Sequence, residues 1–445
     1  MISALRYLCA VTVLLFLPCA VWPQSATSEY WEGSRSSAGK SQAFVLRVER
    51  SGGSRKATVD LPDFGALGIP ATAFLMADGR MHFELIGDTS SAVFEGSVTA
   101  DSIHGTWHEG DRNGEFQLHR GQDKHAGLKE EGVSFLNGDV RLAGTLLLPA
   151  AHHPAPAIIF VHGAGPETRN ASRFLAQFFA SQGVAALIYD KRGTRASTGD
   201  WMHSSFEDLA KDAVAAVNYL KTRSEVDPFR IGLMGSSQGG WVAPMAALRS
   251  SHVHFVIVKS GAGGTPEQQE LARVEMKMRA DGNSSQDIEQ SLSLYRQLIA
   301  YARTRQGWDE LSMALKAASQ KSWYYFGDVS KDWWFLDFIR LNFGYDAAPV
   351  LQNIKSPVLM IFGGKDTDIP VQASLGRLIP ALSGAGNRCA LEIFPNAGHD
   401  LRVAPDKGDP WDFPRFAPGY LESLASWVKL QTETASTAAE RRRGD

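Results

Sequence analysis

Hydrophobic and polar residues alternate along the first part of the chain, from residue 30 to residue 118. The alternation is clear at 44–49 and 81–85, and a period of two is typical of strands that bury only one face. The sequence Ala77-Asp78-Gly79-Arg80 predicts a tight hairpin turn, because glycine accepts a positive φ. We therefore expect residues 27–125 to form a small antiparallel β barrel or sandwich.

A different pattern begins after a polar linker at 121–129. Short apolar runs without alternation are separated by helical stretches, which is typical of a mostly parallel sheet that is buried on both faces. A well-marked helix is predicted at 206–221, where Ser205 and Asp208 have the spacing of a capping box. The apolar runs lie at 157–161, 184–189, 231–234, 255–258, 358–362 and 391–394.

Strands and helices stop alternating between residues 264 and 348. Apolar residues recur there with a helical period, and aromatic residues become frequent from residue 323 onwards. We expect this segment to be a helical cap inserted into an α/β domain at 128–434. Two roles fit the aromatic side chains, which either join the cap to the core or line an acyl or aryl pocket.

Ser237 is the centre of the sequence Gly235-Ser236-Ser237-Gln238-Gly239, which lies between an apolar run and a helical stretch at 241–248. A G-x-S-x-G sequence between a strand and a helix is typical of a nucleophile elbow, whose tight turn exposes the serine hydroxyl. A serine nucleophile needs a base to take its proton and a third group to orient that base. Both should come from the carboxyl ends of later strands, where active residues of open α/β sheets collect.

Two later strand ends carry suitable groups. Asp366 and Asp368 follow the fifth apolar run, and His399 follows the sixth. The chain order Ser237, Asp366, His399 is the order of the α/β-hydrolases, with His399 as general base. We prefer Asp366 to Asp368 as the orienting acid, because Asp368 has the position of a helix cap.

A tetrahedral intermediate also needs backbone donors for its oxyanion. The amide of Gln238, directly after the nucleophile, is the first candidate. The second lies in the loop His162-Gly163-Ala164-Gly165-Pro166, where Ala164 is preferred to Gly163. We interpret His162 as a brace for this loop and not as the catalytic base.

Five motifs, HGAGP, YDKRG, GSSQGG, GGKDTDIP and NAGHD, occur in this order between about residue 130 and about residue 430. Together they resemble a secreted bacterial serine esterase of the α/β-hydrolase superfamily, in the branch of dienelactone hydrolase and prolyl oligopeptidase. The resemblance implies an α/β-hydrolase fold and an acyl-enzyme on Ser237, with Asp366, His399 and an oxyanion hole from Gln238 and Ala164. This mechanism requires no metal ion and no organic cofactor.

One of these motifs departs from the pattern of its relatives, which often read D-x-R-G-x-G-x-S. Arg195 stands here where a glycine is usual, which leaves the shape of the loop open. In the same motif, we expect Asp190 and Arg192 to form a structural ion pair.

Two other functions fit the same residues. A serine peptidase would use the same machinery, but the related aminopeptidases need a carboxylate-rich anchor for the substrate amine. That anchor usually comes from a propeller or another large domain, and a β module of about 90 residues is too small to be a propeller. A non-catalytic binding protein is the second alternative, and the intact triad candidates count against it.

Residues 1–26 differ from the rest of the chain, because Arg6 is followed by about a dozen apolar residues. This is typical of a secretory signal peptide, and the stretch is too short for a permanent membrane anchor. We expect an exported protein, either periplasmic or extracellular. Cys389 is then the one remaining cysteine, so no internal disulfide can form, and we expect its side chain to be buried.

The formal charge of −3 over 445 residues argues against nucleic acid and acidic membrane surfaces as partners. The run Arg441-Arg442-Arg443 lies at 435–445, which we expect to be a disordered tail. His104, His108 and His119 lack the spacing of metal ligands and are expected to face solvent. The expected partner is a small-molecule ester, and a homodimer is compatible with the sequence.

Overall fold

The computed structural model describes residues 27–51, 54–86, 91–123, 127–150, 154–384, 389–409, 411 and 413–443. The signal peptide expected at 1–26 lies outside the described residues. Within them, no helix combines the length and the hydropathy needed to cross a membrane. The described residues divide into two compact units, of which the first comprises residues 27–35, 44–60 and 68–121 and the second comprises residues 36–43, 61–67 and 122–443.

Eight antiparallel strands close into a barrel in chain order, with the first strand paired to the eighth. The fold is a barrel and not a sandwich. The expected turn between the fourth and fifth strands is present, and Asp78 and Gly79 there have φ values of 50° and 74°. The strands are β1 (Thr27–Ser37), β2 (Lys40–Ser51), β3 (Ser54–Leu61), β4 (Ala66–Ala77), β5 (Arg80–Ile86), β6 (Ser91–Val98), β7 (Ser102–Glu109) and β8 (Arg112–Arg120).

Aromatic rings fill the inside of the barrel. The ring of Phe94 lies at their centre, with its centroid 4.6 Å from that of Phe83 and 5.2 Å from that of Phe44. Trp31 and Trp107 are buried in the same unit. The alternation along the strands explains this interior, because every second side chain points inward. His104, His108 and His119 of the barrel are exposed, as expected.

The second unit contains a mixed eight-stranded sheet in the order β16-β15-β14-β13-β11-β12-β10-β9. The strands β9 and β10, at one end of this order, form an antiparallel hairpin. The other six strands are parallel to one another. All six apolar runs of the sequence are strands of this sheet, so the expected fold class is confirmed. The strands are β9 (Lys129–Asn137), β10 (Val140–Leu148), β11 (Ala155–Val161), β12 (Ala185–Tyr189), β13 (Val226–Ser236), β14 (Val253–Lys259), β15 (Val358–Gly363) and β16 (Cys389–Phe394).

Helices cover both faces of this sheet. One hydrophobic cluster includes Leu209, Val242 and Leu375, and a second on the other face includes Phe179 and Leu424. The helix predicted at 206–221 is present with the capping box of Ser205 and Asp208. The flanking helices are α1 (Arg173–Ser181), α2 (Phe206–Leu220), α3 (Gly239–Arg249), α9 (Val371–Gly384) and α10 (Tyr420–Arg443), and two short strands, β17 (Arg402–Val403) and β18 (Arg415–Phe416), pair with each other.

Five helices connect β14 to β15, in the segment predicted to be a helical cap. The first four share a hydrophobic cluster of their own, which includes Leu298 and Leu336. Phe338 and Tyr345 make ring contacts with Phe206 of α2, at 6.1 and 5.7 Å between centroids, so these aromatic side chains join the segment to the core. The helices are α4 (Pro266–Ala280), α5 (Ser285–Thr304), α6 (Trp308–Ala318), α7 (Trp334–Asn342) and α8 (Ala347–Asn353).

Two local expectations differ from the structure. Cys389 is exposed and not buried, because it opens β16, which lies at the edge of the sheet formed by the described strands. The helix α10 continues to Arg443, through most of the segment expected to be a disordered tail. Alanine and arginine make up most of residues 435–443, and both are good helix formers.

Candidate active site

Ser237 lies directly after β13, at the turn into α3, and its φ is 53°. A left-handed backbone is strained for a residue with a side chain, by about 1–3 kcal/mol, and occurs mostly at functional sites. Only glycine fits on either side of this turn. A Cβ on Gly235 would lie 2.0 Å from the carbonyl oxygen of Gly239, and a Cβ on Gly239 would lie 2.5 Å from that of Val161.

The imidazole of His399 contacts the carboxylate of Asp366. The distance from Nδ1 of His399 to Oδ2 of Asp366 is 2.8 Å, and the Asp366 side chain is fully buried. The other carboxylate oxygen, Oδ1, accepts hydrogen bonds from the amides of Asp368 and Ile369, at 2.8 and 2.9 Å. Asp368 therefore contributes its backbone amide, and Asp366 orients the ring and leaves Nε2 for another partner.

The loop that carries His399 is held against the ends of the neighbouring strands. The hydroxyl of Ser260, which follows β14, donates a hydrogen bond of 2.7 Å to the carbonyl oxygen of His399. Gly363, at the end of β15, allows this loop to pass closely, because a Cβ there would lie 2.1 Å from the carbonyl oxygen of Gly398. Both contacts bring His399 from β16 back towards the centre of the sheet.

Opposing effects act on the pKa of His399. Burial lowers this pKa, but the hydrogen bond and the negative charge of Asp366 raise it by more, so that it lies above the ordinary value. The ammonium of Lys259 opposes the increase, and Asp368 supports it. A base with a raised pKa is protonated already at mildly acidic pH, where it can no longer accept a proton.

The sheet register places Ser237 at the same edge as this pair. Ser236 is level with Lys259, and Lys259 is level with Ile361 of the next strand. The amide of Ser237 donates to the carbonyl oxygen of Lys259 at 2.9 Å. The hydroxyl of Ser237 is not hydrogen-bonded to any residue that the structure describes, so the structure brings Asp366 and His399 into contact but does not join Ser237 to them.

Two backbone amides near Ser237 have no acceptor within the described part of the chain. They belong to Gln238, which precedes the first turn of α3, and to Ala164, in the loop after β11. The amide of Gly163, the second choice in this loop, donates 2.8 Å to Oε2 of Glu167 and is therefore occupied. The amides of Gln238 and Ala164 remain available for an oxyanion.

His162 is held by its contacts with β12. Its Nε2 lies 2.5 Å from the carbonyl oxygen of Tyr189, and its ring packs edge-on against the ring of the same residue. Burial, assisted by the charge of Lys191, lowers the pKa of His162 to about 3. A neutral histidine in this position braces the loop, in line with the role expected from the sequence.

Two residues that sequence reasoning did not select lie in this region, Glu167 and Lys191. Glu167 occupies the amide of Gly163, and the ammonium of Lys191 contacts the same loop and the side chain of Gln238. A lysine two residues after a uniformly apolar strand was a usable signal, because lysine is almost never fully buried without partners.

The ion pairs around Asp190 and Arg192 differ from the expected one. Asp190 binds Arg169, with 2.7 Å between Oδ2 and a guanidinium nitrogen, and Arg192 binds Asp212 at 2.7 Å. Both residues are structural, but they do not pair with each other. Arg195 has a φ of 43°, so it adopts the left-handed conformation for which its relatives use glycine.

One group of possible metal ligands is present in the described residues, formed by Asp366, Asp368 and His399. Their potential ligand atoms lie within 4.8 Å of one another. Two members are already hydrogen-bonded to each other, and Asp366 is also held by two amides. The group is thus organised to orient an imidazole.

The mixed sheet, the strained serine between β13 and α3 and the Asp366–His399 pair at the carboxyl edge define an α/β-hydrolase. Residues 152–406 match the model of the Hydrolase_4 family, described as serine aminopeptidase S33. The chain belongs to this family, and it is a hydrolase of the α/β-hydrolase fold.

Known proteins of similar sequence include an esterase. Esterase EstD from Thermotoga maritima is 25% identical over 309 residues, which are 67% of this chain and 67% of EstD. The quorum-quenching protein AidA from Acinetobacter baumannii is 29% identical over 126 residues, so the match spans 28% of this chain and only 41% of AidA. Among solved structures, esterase Pf2001 from Pyrococcus furiosus is 17% identical, with a TM-score of 0.46 and coverage of 71% of this chain and 94% of Pf2001.

Proposed function

We propose that the protein hydrolyses carboxylic esters through an acyl-enzyme on Ser237, as a carboxylesterase. The observation that carries the proposal is the arrangement at one edge of the sheet, where a strained serine, an Asp366–His399 pair and two available amides are found. The likeness to a relative named as an esterase supports esters as the substrate class.

In the first step, Oγ of Ser237 attacks the ester carbonyl carbon while Nε2 of His399 takes the hydroxyl proton. The amides of Gln238 and Ala164 donate to the oxyanion of the tetrahedral intermediate. Asp366 keeps Nδ1 protonated and stabilises the imidazolium without accepting its proton. A hydrogen bond from Ser237 to His399 has to form when the substrate binds, and such bonds often tighten only in the substrate complex.

The intermediate then collapses and the C–O bond to the alcohol breaks. The alcohol leaves with the proton from His399, and the acyl group stays on Ser237. A water molecule repeats the sequence, giving its proton to His399 and releasing the acid and free Ser237. Every proton transfer uses the same imidazole, so the mechanism needs no metal ion and no organic cofactor.

The test compares Ser237→Ala with Ser236→Ala, which removes a hydroxyl from the adjacent residue. With p-nitrophenyl acetate, we expect Ser237→Ala to lower kcat by about 10⁴-fold or more, because no nucleophile remains. Ser236→Ala should keep activity close to that of the unchanged protein. A fluorophosphonate probe should label Ser237 covalently, as shown by mass spectrometry of the labelled peptide.

Full turnover by Ser237→Ala would contradict the proposal. Absence of fluorophosphonate labelling in the folded protein would instead favour a non-catalytic binding protein with this fold. Both measurements use the full chain.

A serine peptidase is the second candidate, and the family description as serine aminopeptidase favours it. Aminoacyl-p-nitroanilides should be measured beside p-nitrophenyl esters of acetyl to decanoyl chains at equal enzyme concentration. An ester hydrolase should prefer the esters over the anilides by more than their intrinsic reactivity explains. A higher kcat/KM for an anilide would assign the peptidase.

Export to the periplasm or the outside remains part of the proposal, on the basis of the sequence of residues 1–26. The intact mass of the protein secreted from a bacterial host tests it. A mass that corresponds to a chain starting beyond about residue 20 supports export. A mass that corresponds to the full-length chain contradicts it.

A further inference from the structure

Lys191 is a buried cation whose contacts are neutral oxygen atoms. Its Nζ lies 2.8 Å from the carbonyl oxygen of Gly163, 3.1 Å from that of Gly165 and 2.8 Å from Oε1 of Gln238. The residue is 2% exposed. An ammonium has three protons to donate, and these three acceptors match that number.

Each of these acceptors belongs to a segment that carries an available amide. The carbonyl group of Gly163 and the N–H group of Ala164 form one peptide unit, and a trans peptide directs its C=O and N–H to opposite sides. By holding the carbonyl oxygen of Gly163, Lys191 thus fixes the direction of the Ala164 N–H. Through the side chain of Gln238, it also binds the residue that supplies the other amide.

We propose that Lys191 is the positioning residue of the oxyanion hole, holding the two amide donors at a fixed separation and polarising the one that belongs to Ala164. The inference rests on the proposed function, since it concerns the same oxyanion. A cation on the carbonyl oxygen draws electron density from the peptide unit and makes its N–H a better donor, as in chains of hydrogen bonds inside proteins.

The charge of Lys191 also makes this arrangement sensitive to pH. Burial lowers the pKa of Lys191 to about 8, although the negative charge of Glu167 opposes the decrease. The other groups around it are His162, which is neutral with a pKa of about 3, and the ring of Trp201, 5.6 Å from Nζ. Its chain neighbours Asp190 and Arg192 are paired with Arg169 and Asp212.

The sign of the pH effect follows from this pKa. Below about pH 8 the ammonium is protonated and holds three acceptors. Above that pH it loses its charge and a donor, so the transition state is stabilised less. We therefore expect kcat for ester hydrolysis to fall on the alkaline side, in addition to the acidic decrease caused by His399.

The experiment compares Lys191→Met and Lys191→Arg with Lys211→Met, a matched change at an exposed lysine of α2. With p-nitrophenyl butyrate, Lys191→Met should lower kcat by roughly 10–100-fold, a fraction of the effect of losing one oxyanion donor. Its KM should stay within about threefold, because the donors act mainly in the transition state. Lys211→Met should match the unchanged protein.

The pH profile separates a positioning role from a merely structural one. The alkaline decrease near pH 8 should be absent from Lys191→Met. Lys191→Arg should recover part of the lost kcat and show no alkaline decrease, because a guanidinium stays charged over this range. A trifluoromethyl ketone, whose tetrahedral adduct places an oxyanion in the hole, should bind Lys191→Met more weakly by the same factor as kcat/KM falls.

A second variant keeps the proposal testable if Lys191→Met does not fold. Gln238→Met preserves the amide and the charge and removes only the link between Lys191 and α3, and we expect kcat to fall about 3–10-fold. If Lys191→Met does fold, a double-mutant cycle of Lys191→Met and Gln238→Met should be non-additive, because both substitutions remove the contact between Lys191 and Gln238. Thermal unfolding of each variant provides the folding control.

The outcomes distinguish this inference from the proposed function. If the fluorophosphonate labels Ser237 but Lys191→Met keeps the kcat and the pH profile of the unchanged protein, the inference is wrong and the proposed function stands. Additive effects of the two substitutions would likewise contradict it. If Ser237 is not labelled in the unchanged protein, the proposed function fails first.

Discussion

The barrel and the α/β sheet each contain eight strands, but they bury their strands differently. In β5, the buried residues Met81, Phe83 and Leu85 alternate with more exposed residues along the whole strand. In β12 and β15, every residue is buried. Polar side chains are thus distributed along the barrel strands, whereas in the central strands of the sheet they occur where the strands end. Chemical groups therefore collect at one edge of the sheet.

The two regions also differ in the surroundings of a buried cation and in its pKa. In the barrel, the guanidinium of Arg35 lies 5.0 Å from the ring centroid of Trp107, and burial lowers the pKa of Arg35 to about 10. In the sheet unit, Lys191 contacts carbonyl oxygens and has a pKa of about 8. The charge in the barrel is permanent at physiological pH, and the charge at the sheet edge can titrate within the range where the enzyme would work.

Among the changes that test this comparison, Asp366→Asn should have the largest effect, with Asp368→Asn as the matched change two residues away. Loss of the carboxylate should lower kcat/KM for p-nitrophenyl acetate by roughly 10³–10⁴-fold, because His399 loses its orientation. Asp368→Asn should change it by less than about threefold, since Asp368 contributes its amide. A larger loss in Asp368→Asn would reverse the assignment of the orienting acid.

The pH profiles of the same two variants check the sign. Asp366 raises the pKa of His399, so its removal should move the acidic decrease in activity to lower pH, even though total activity falls. Asp368 also raises this pKa, by less, so Asp368→Asn should move the limb slightly in the same direction. A shift of the acidic decrease in activity to higher pH would contradict this account of the Asp366–His399 pair.

A change in the barrel interior should act on stability instead of chemistry. Phe94→Ala removes the ring at the centre of the aromatic cluster and should lower the free energy of unfolding by about 3–5 kcal/mol. His104→Ala, on the exposed face of β7, should change it by less than about 0.5 kcal/mol. Urea unfolding measures the free energy of unfolding of both variants. Their activity is expressed per site labelled by fluorophosphonate, so that only folded protein is counted. Altered pH limbs in the folded Phe94→Ala protein would show that the barrel contributes to the site.

The smallest effect is expected from Cys389→Ser. The thiol is exposed on an edge strand, so activity and stability should be unchanged within about 0.5 kcal/mol.

Titration of the denatured protein with Ellman's reagent also tests removal of residues 1–26. The unchanged protein should react with one equivalent if this segment has been removed, and Cys389→Ser with none. Reaction with additional equivalents would show that the segment, with Cys9 and Cys19, is retained.

Much of the fold was predictable because its signals are local. A period of two indicated the barrel strands, six uniformly apolar runs indicated the central sheet, and the capping pair Ser205–Asp208 marked the start of α2. For the site, a serine between two glycines indicated the elbow, and the aspartate and histidine after later strands followed from chain order. These signals depend on residues close together in the chain, where backbone geometry restricts what can form.

By itself, the sequence determined the class of fold, the serine elbow and the chain order of the candidate acid and base. The tertiary structure alone decided that Asp190 pairs with Arg169, that Arg192 pairs with Asp212, and that Lys191 binds both amide-bearing segments. It also decided that Cys389 is exposed. The physical reason is that the partners and burial of a charged or small side chain depend on segments that meet only after folding, and periodicity along the chain carries no record of them.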